Sequence, residues 1–422
     1  GTPRLLQDHD LREGFHALYA LAAFRGSERA LQLAADSIDV INRYWLATES
    51  WDLARLEHDL PVHVLRDGYG TFVQRLARSI GPLVKLFRST GHEPALQLAS
   101  SLKDKALREC FPEDGAFLPD PCGHHAHSTT CVLSSLAQLG DASDDIGLLQ
   151  RVRAFYDNGL WQLRDQIGWS IEGSEEGNDC LRGEANNTGD IIETALILGR
   201  RLDAAYYGDA ERMLRSHLLP SQLRDTSFVI APDNPESLDG RRRVAERLRG
   251  AFGFPAPYGH EPAGLWTSSK PRVGFNLDIV GGAVASLCEV CRESTRYDAS
   301  GHWVNLLFDH TTADIEVQSP YTHDYLRIRL RRPGALHVRV PAWVEADEVR
   351  NAGTDAGSHL QDGYLVVDSP PVGEWIGFAF ELPIVEQELS WRHVRIRARF
   401  RGDEAVAMDN FGTELTFFEP FD

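Results

Sequence analysis

Ala17-Leu-Tyr-Ala-Leu-Ala-Ala-Phe-Arg-Gly-Ser-Glu-Arg-Ala-Leu-Gln-Leu-Ala34 and Pro82-Leu-Val-Lys-Leu-Phe-Arg-Ser-Thr-Gly-His-Glu-Pro-Ala-Leu-Gln-Leu-Ala99 spell one pattern twice. Apolar residues fall three and four apart, a Gly-containing turn follows, and a second apolar run closes the unit. Residues at that spacing share one helix face, so each stretch predicts two amphipathic helices joined by a turn. Val132 to Tyr156 repeats the grammar, with a turn at Leu139-Gly-Asp-Ala-Ser-Asp144 and a helix from about Ile146. Thr194 to Leu218 repeats it again, turning near Leu202-Asp-Ala204. One such hairpin cannot bury its inner face alone, so hairpins recurring at roughly sixty residues must stack. Solenoids run at about 33 to 47 residues with tighter self-similarity. The longer, variable loops favour closure into an (α/α)6-type helical toroid, whose helix entries crowd the mouth of a cavity.

After Arg296 the period changes from helical to alternating. Trp303-Val-Asn-Leu-Leu-Phe308, Asp314-Ile-Glu-Val-Gln318, Tyr325-Leu-Arg-Ile-Arg-Leu330, Ala335-Leu-His-Val-Arg-Val340 and Gly363-Tyr-Leu-Val-Val-Asp368 alternate apolar with polar residues. The tail adds Trp375-Ile-Gly-Phe-Ala-Phe380, Val394-Arg-Ile-Arg-Ala-Arg399 and Leu415-Thr-Phe-Phe418. Gly, Pro and Asp punctuate these runs at the spacing of an antiparallel β-sandwich. The expected fold class is mainly α with a β domain: a toroid over residues 1–295 and a C-terminal sandwich over 296–422.

Composition narrows the partners. The 422 residues carry a net charge of −19, which argues against nucleic acid or anionic membrane as a partner, since either rewards a basic face. No apolar run approaches the ~20 residues of a membrane span, and Gly1-Thr-Pro-Arg-Leu5 lacks the regions of a signal peptide. The six cysteines, at 110, 122, 131, 180, 288 and 291, are too scattered for a disulfide scaffold. A cytoplasmic protein with free thiols is the expectation, with an already removed signal peptide and a homodimer left open. Cys288-Glu-Val-Cys291 lies in an apolar helical run without a second pair, so it reads as a buried core pair, not as a zinc or redox motif.

Two polar knots precede apolar helices. One is Arg182-Gly-Glu-Ala-Asn-Asn-Thr-Gly-Asp190; the other is Gly123-His-His-Ala-His-Ser-Thr-Thr130. Asn, Thr and Asp satisfy orphan N–H groups at helix entries, so Asn186, Asn187 and Asp190 have a capping explanation, and Asp190 and Glu193 read as first-turn acids facing the helix dipole. Glu184 is in excess, ahead of the expected caps. Glu172, in Gly168-Trp-Ser-Ile-Glu172, gives a second carboxylate beside an aromatic residue, Trp169, that could serve as a sugar platform. Paired carboxylates flanking such a platform suit glycosidic-bond chemistry, one acid protonating the leaving oxygen while the other attacks or activates water. The catalytic candidates are Glu172, Glu184 and His125. The substrate-binding candidates are His124, His127, Trp169, Asn186, Asn187, Asp190, and, in Phe275-Asn-Leu-Asp-Ile-Val-Gly-Gly282, Asn276 and Asp278. The histidines stand too close together to share one tetrahedral site easily, and no H-E-x-x-H pattern supports them, so neither metal nor cofactor is expected.

Phe111-Pro-Glu-Asp-Gly115, Gly123-His-His-Ala-His-Ser128, Gly168-Trp-Ser-Ile-Glu172, Asn187-Thr-Gly-Asp-Ile-Ile-Glu193, Val304-Asn-Leu-Leu-Phe308, Val338-Arg-Val-Pro-Ala-Trp343 and Phe400-Arg-Gly-Asp403 resemble, in order and wording, the β-L-arabinofuranosidase family of glycoside hydrolases. The likeness runs from about Ile80 to Phe418 and implies the same toroid plus β domain. It also implies a cysteine nucleophile on a zinc ion, held by a Glu-x-Cys motif and a Cys-Cys pair. The counterpart of the first is Glu184-Ala-Asn186, and that of the second falls within Asp278-Ile-Val-Gly-Gly282, which has no cysteine. Without these thiolates the ligands that select zinc are missing, and so is the nucleophile.

The leading functional reading is a metal-independent glycoside hydrolase acting on a small saccharide or glycosylated small molecule. Glu172 resembles the family's acid/base position, and Glu184 would be nucleophile or base. The alternatives are an isomerase, lyase or cyclase with a His/Glu proton shuttle through His125 or His127, and a catalytically inactive sugar-binding protein.

Overall fold

The computed structural model describes residues 4–6, 10–48, 50–64, 70–174, 184–222, 226, 233–252, 277–344, 350–352, 357–379, 381–391 and 394–409. They fall into two compact units. The first comprises Gly1–Leu163 with Gly173–Asn178, the second Arg164–Glu172 with Asp179–Asp422.

In the first unit β1 (Arg4–Leu6) pairs in parallel with β2 (Val62–Val64). The helices are α1 (Leu11–Arg25), α2 (Glu28–Tyr44), α3 (Leu53–Asp59), α4 (Ile80–Thr90), α5 (Glu93–Glu109), α6 (Pro119–Cys122), α7 (Ala126–Ala142) and α8 (Ile146–Asp157). The repeat is real: α1/α2, α4/α5 and α7/α8 are successive hairpins. The Gly-Ser turn of the first works as its sequence implies. Ser27 caps α2 by accepting the Ala30 N–H at 3.2 Å. The leading helices α1, α4 and α7 pack side by side. Of the 17 residues of α7, 14 are buried, so it has no solvent stripe, and small Ala, Ser and Thr residues let its neighbours close around it.

The second unit holds α9 (Ala185–Arg201), α10 (Ala205–Met213), α11 (Val244–Leu248) and α12 (Leu277–Ser294). Both α10 and α12 pack on α9, and α10 runs on into a π-helical turn at Leu214–Leu218. Strand structure begins at Thr295, next to the expected change of period. The strands are β3 (Thr295–Asp298), β4 (Gly301–Val304), β5 (His310–Thr311), β6 (Ile315–Gln318), β7 (Leu326–Leu330), β8 (Leu336–Arg339), β9 (Arg350–Ala352), β10 (His359–Gln361), β11 (Tyr364–Val367), β12 (Trp375–Ala379), β13 (Ile384–Trp391), β14 (Val394–Arg401) and β15 (Glu404–Met408). One sheet runs β10-β11-β8-β4-β3 and another β5-β6-β7-β12-β9, while β13, β14 and β15 form a third. Val304, Val338 and Val367 from the first sheet share one core with Ile328, Ile376 and Phe378 from the second, which makes the two a sandwich. Burial alternates as the sequence pattern implies along Ile315–Gln318 and Leu326–Leu330, whereas Tyr364–Val367, expected to alternate, is buried throughout. One pair departs from the antiparallel expectation: β4 and β8 run parallel. The expected strand at Leu415–Phe418 lies outside the described residues.

A buried ionic joint ties α10 and its π-turn to these strands. Glu211, fully buried, accepts from Arg215 Nε at 2.9 Å and from the Leu307 N–H at 3.2 Å, and pairs with Arg339 of β8. The Arg215 guanidinium donates to the Leu307 carbonyl at 2.7 Å and lies over the Phe308 and Tyr321 rings at 3.8 and 3.6 Å. Ser216 Oγ donates to the Asp403 carbonyl at 2.8 Å and accepts from the Ala405 N–H at 3.0 Å. The Asp403 carboxylate accepts from Trp343 Nε1 at 3.0 Å; burial, and then the Glu211 charge, push its pKa up. Val304–Phe308, Val338–Trp343 and Phe400–Asp403, three of the stretches that carry the family resemblance, meet in this joint. Among the described residues no helix is long and apolar enough to cross a membrane.

Candidate functional site

In the second unit the two glutamates lie on neighbouring pieces of backbone. Gly168 turns the chain with φ +81°, and a Cβ there would lie 2.4 Å from Met213 Cγ, so the turn needs glycine. Asp165 Oδ1 accepts the N–H groups of Ile167 and Trp169, each at 3.0 Å, which holds the turn in place. Residues 168–172 then run alongside the start of α9. The Glu184 N–H donates to the Ser170 carbonyl at 3.2 Å. Asn187 Nδ2 donates to the Ile171 carbonyl at 2.9 Å and to Ser170 Oγ at 3.2 Å. Thr188 Oγ1 donates to the Gly168 carbonyl at 2.8 Å and lies 3.0 Å from His217 Nδ1. With the Thr188 proton committed to Gly168, His217 is the donor, which fixes its proton on Nδ1. A row of α9 side chains thus pins the segment that ends in Glu172.

The helix begins earlier than the sequence suggested. Glu184 itself occupies the N-cap position, with extended backbone at φ −124° and ψ 122°, and its side chain makes no cap bond. The Glu184 carboxylate instead accepts from Asn186 Nδ2 at 3.2 Å, and the residue is 7% exposed. Asn186 and Asn187 are therefore not caps, because Ala185 already opens the helix. Asp190 and Glu193 lie beyond the first turn, which contains no acidic residue, so the dipole explanation fails for both. Trp169 is 0% exposed, so it is core and offers no stacking platform for a sugar. Asn187, also fully buried, positions backbone, and its Oδ1 has no hydrogen-bond partner among the described residues. Glu172 is partly exposed.

In the first unit the histidines gather at the start of α7. Gly123 bends the chain with φ +76°, where a Cβ would lie 2.5 Å from the Gln74 amide. His125 pairs with Gly173 as an isolated antiparallel bridge, and the Ser174 N–H donates to the His124 carbonyl at 2.8 Å. His125 Nδ1 lies 2.9 Å from Ser128 Oγ, and the His125 and His127 rings meet edge to face at 5.8 Å. His127 is buried and His124 partly so. All three histidines are thus held in ordered positions, as expected of site residues and of structural ones alike.

Asn276 lies outside the described residues, as does the side chain of Asp278, whose backbone is in the first turn of α12. Ser170, Thr188 and His217 were missed as site supports; the first two stand inside the quoted motifs, whereas nothing around His217 marks it. Beside Glu184 the sequence lacks one thiolate of the zinc cage that the family resemblance implies. Two residues on stands Asn186, an amide that donates to the carboxylate where a thiolate would ligate. The cysteine pair was also misread. Cys288 and Cys291 are both exposed, because the buried face of α12 carries Ala283, Ser286, Val290 and Glu293 instead.

No protein-family model matches the chain, and no curated protein matches it. Solved structures do. A GH127 β-L-arabinofuranosidase from Geobacillus stearothermophilus T6 superposes with a TM-score of 0.57 at 16% identity, over 94% of this chain and 67% of that one. A second GH127 β-arabinofuranosidase gives 0.59 at 16%, over 94% and 64%. A third structure, described as a glycoside hydrolase, gives 0.52 at 12%, over 94% and 77%. The chain spans about two thirds of the length of the first two. At such identities the likeness shows the fold, which is the glycosidase-type helical toroid class with a C-terminal antiparallel β region.

Proposed function

We propose that the chain is a carbohydrate-active enzyme, a glycoside hydrolase that takes a small saccharide or glycosylated small molecule and uses Glu172 and Glu184 as its carboxylate pair. The hydrogen bond from the Glu184 amide to the Ser170 carbonyl carries the reading, since it sets one carboxylate two residues from the backbone opposite the other. The fold likeness to arabinofuranosidases supports the substrate class. In this reading Glu172, the more exposed acid, protonates the glycosidic oxygen as the bond breaks. Glu184, nearly enclosed and oriented by Asn186, attacks the anomeric carbon or deprotonates the water that does. Neither role calls on zinc, because each is proton or nucleophile chemistry of a carboxylate.

The test is turnover on a panel of aryl glycosides, β-L-arabinofuranosides first, by wild type and by Glu184→Gln and Glu172→Gln. Each substitution keeps the shape and removes the proton chemistry, so turnover should fall about 100- to 10,000-fold while the melting temperature barely moves. Near-normal turnover in Glu184→Gln overturns the proposal. Sugar binding without turnover by the wild type would make the chain a binding protein.

A further inference from the structure

We propose that Cys288 and Cys291 form a surface dithiol clamp for one soft, thiophilic cation, for which monovalent copper is the best fit. Ala283, Ser286, Val290 and Glu293 recur at three- and four-residue steps and are buried, and Glu293 pairs with Arg200 of α9, so that face of α12 is occupied. Val284, Cys288 and Cys291 recur at the same steps on another face and are exposed. Neither thiol takes part in a hydrogen bond among the described residues. Glu289 and Arg292, the neighbours of the thiols in sequence, pair with each other at 3.0 Å.

Spacing selects the chemistry. Residues three apart on a helix have Cβ atoms about 5–6 Å apart. A disulfide needs them within about 3.5–4.5 Å, so α12 would have to deform to oxidise the pair. A cation held at about 2.3 Å from each sulfur spans up to about 4.6 Å between sulfurs, which the two side chains reach by turning toward each other. Thiolate is a soft donor and suits monovalent copper, whereas two ligands leave the tetrahedral preference of zinc half met. Binding would displace one proton from each thiol to solvent, with no change of oxidation state in sulfur or metal.

The experiment uses the full chain, reduced and kept anaerobic, in a Cys180→Ser background that removes the thiol outside the described residues. Monovalent copper is offered as its coloured bicinchoninate complex, and loss of colour reports transfer to protein. One equivalent should be withdrawn, and Cys288→Ser or Cys291→Ser should each reduce this to none, with unchanged circular dichroism showing that the variants fold. Failure to withdraw copper overturns the proposal, as does undiminished uptake by either variant. Sedimentation showing two chains per copper would overturn the single-helix clamp in favour of a bridge between copies.

Discussion

Asn187→Ala tests whether α9 holds the segment that presents Glu172. The wild-type amide makes two hydrogen bonds, at 2.9 Å to the Ile171 carbonyl and 3.2 Å to Ser170 Oγ, and Ser170, Ile171 and Asn187 are all fully buried. Each of the two buried acceptors stripped of its partner costs about 1–3 kcal/mol. The variant also removes the Asn187 oxygen, which has no hydrogen-bond partner among the described residues, and that returns roughly 1 kcal/mol. The balance is a loss of about 1–5 kcal/mol. Urea unfolding followed by tryptophan fluorescence reads it directly, since Trp169 sits in the same segment. Asn187→Asp is the informative companion. It keeps the shape but replaces the donating NH2 with an acceptor facing a carbonyl, so it should be at least as damaging. Turnover on the best glycoside of the panel should fall in both variants, because Glu172 loses its support. A stability loss below about 0.5 kcal/mol in Asn187→Ala would refute the clamp.

Three further outcomes follow from other parts of the molecule. Arg339→Met removes one partner of the fully buried Glu211 and should cost about 3–5 kcal/mol in chemical denaturation, whereas substituting the exposed Arg395 should cost under about 0.5 kcal/mol. Burial first, then Arg12, Lys85 and Arg78, lower the pKa of His16 from 6.5 to about 3, so the native state keeps this imidazole neutral while the unfolded chain takes up a proton. Stability should therefore fall as pH drops below 6.5 toward 3, by at most about 2 kcal/mol between pH 7 and 5, and urea midpoints should show His16→Gln lacking this dependence. Prolonged dialysis against EDTA should leave glycoside turnover unchanged if the carboxylate pair acts alone; loss of turnover restored by one equivalent of zinc would show that it does not.

The helical hairpins and the strands were legible because each is written in a period that side-chain burial enforces. Gly26 with Ser27, and Gly91 with His92, mark hairpin turns by local chemistry, and the alternation along Leu326–Leu330 is the pleat itself. The helix start at Ala185 was not legible, since Asn187 and Thr188 look like caps but spend their side chains on residues 168–171, about twenty positions earlier, and Asn186 spends its own on Glu184. Trp169 misled for a related reason: an aromatic residue beside an acid suggests a platform until packing shows the ring enclosed. The exposure of Cys288 and Cys291 turned on the angular position of a stripe, which apolar composition leaves undetermined by one residue either way. His217 carries no local signal, because its partner Thr188 is 29 residues away.

The ionic joint also sets a clock for synthesis. Ser216 reaches its partner Asp403 across 187 residues, and Glu211 waits 128 for Arg339. At ~5–20 residues per second, a ribosome exposes α10 roughly 10–40 seconds before the strand turn that satisfies its π-turn. Until Leu307 and Arg339 follow, 96 and 128 residues after Glu211, Glu211 and Arg215 have only each other and water, so α9 and α10 emerge as a hairpin whose charged flank cannot yet be dehydrated. A nascent chain stalled before Phe400 should remain open to protease around Leu214–Leu218, and release from the stall should close it.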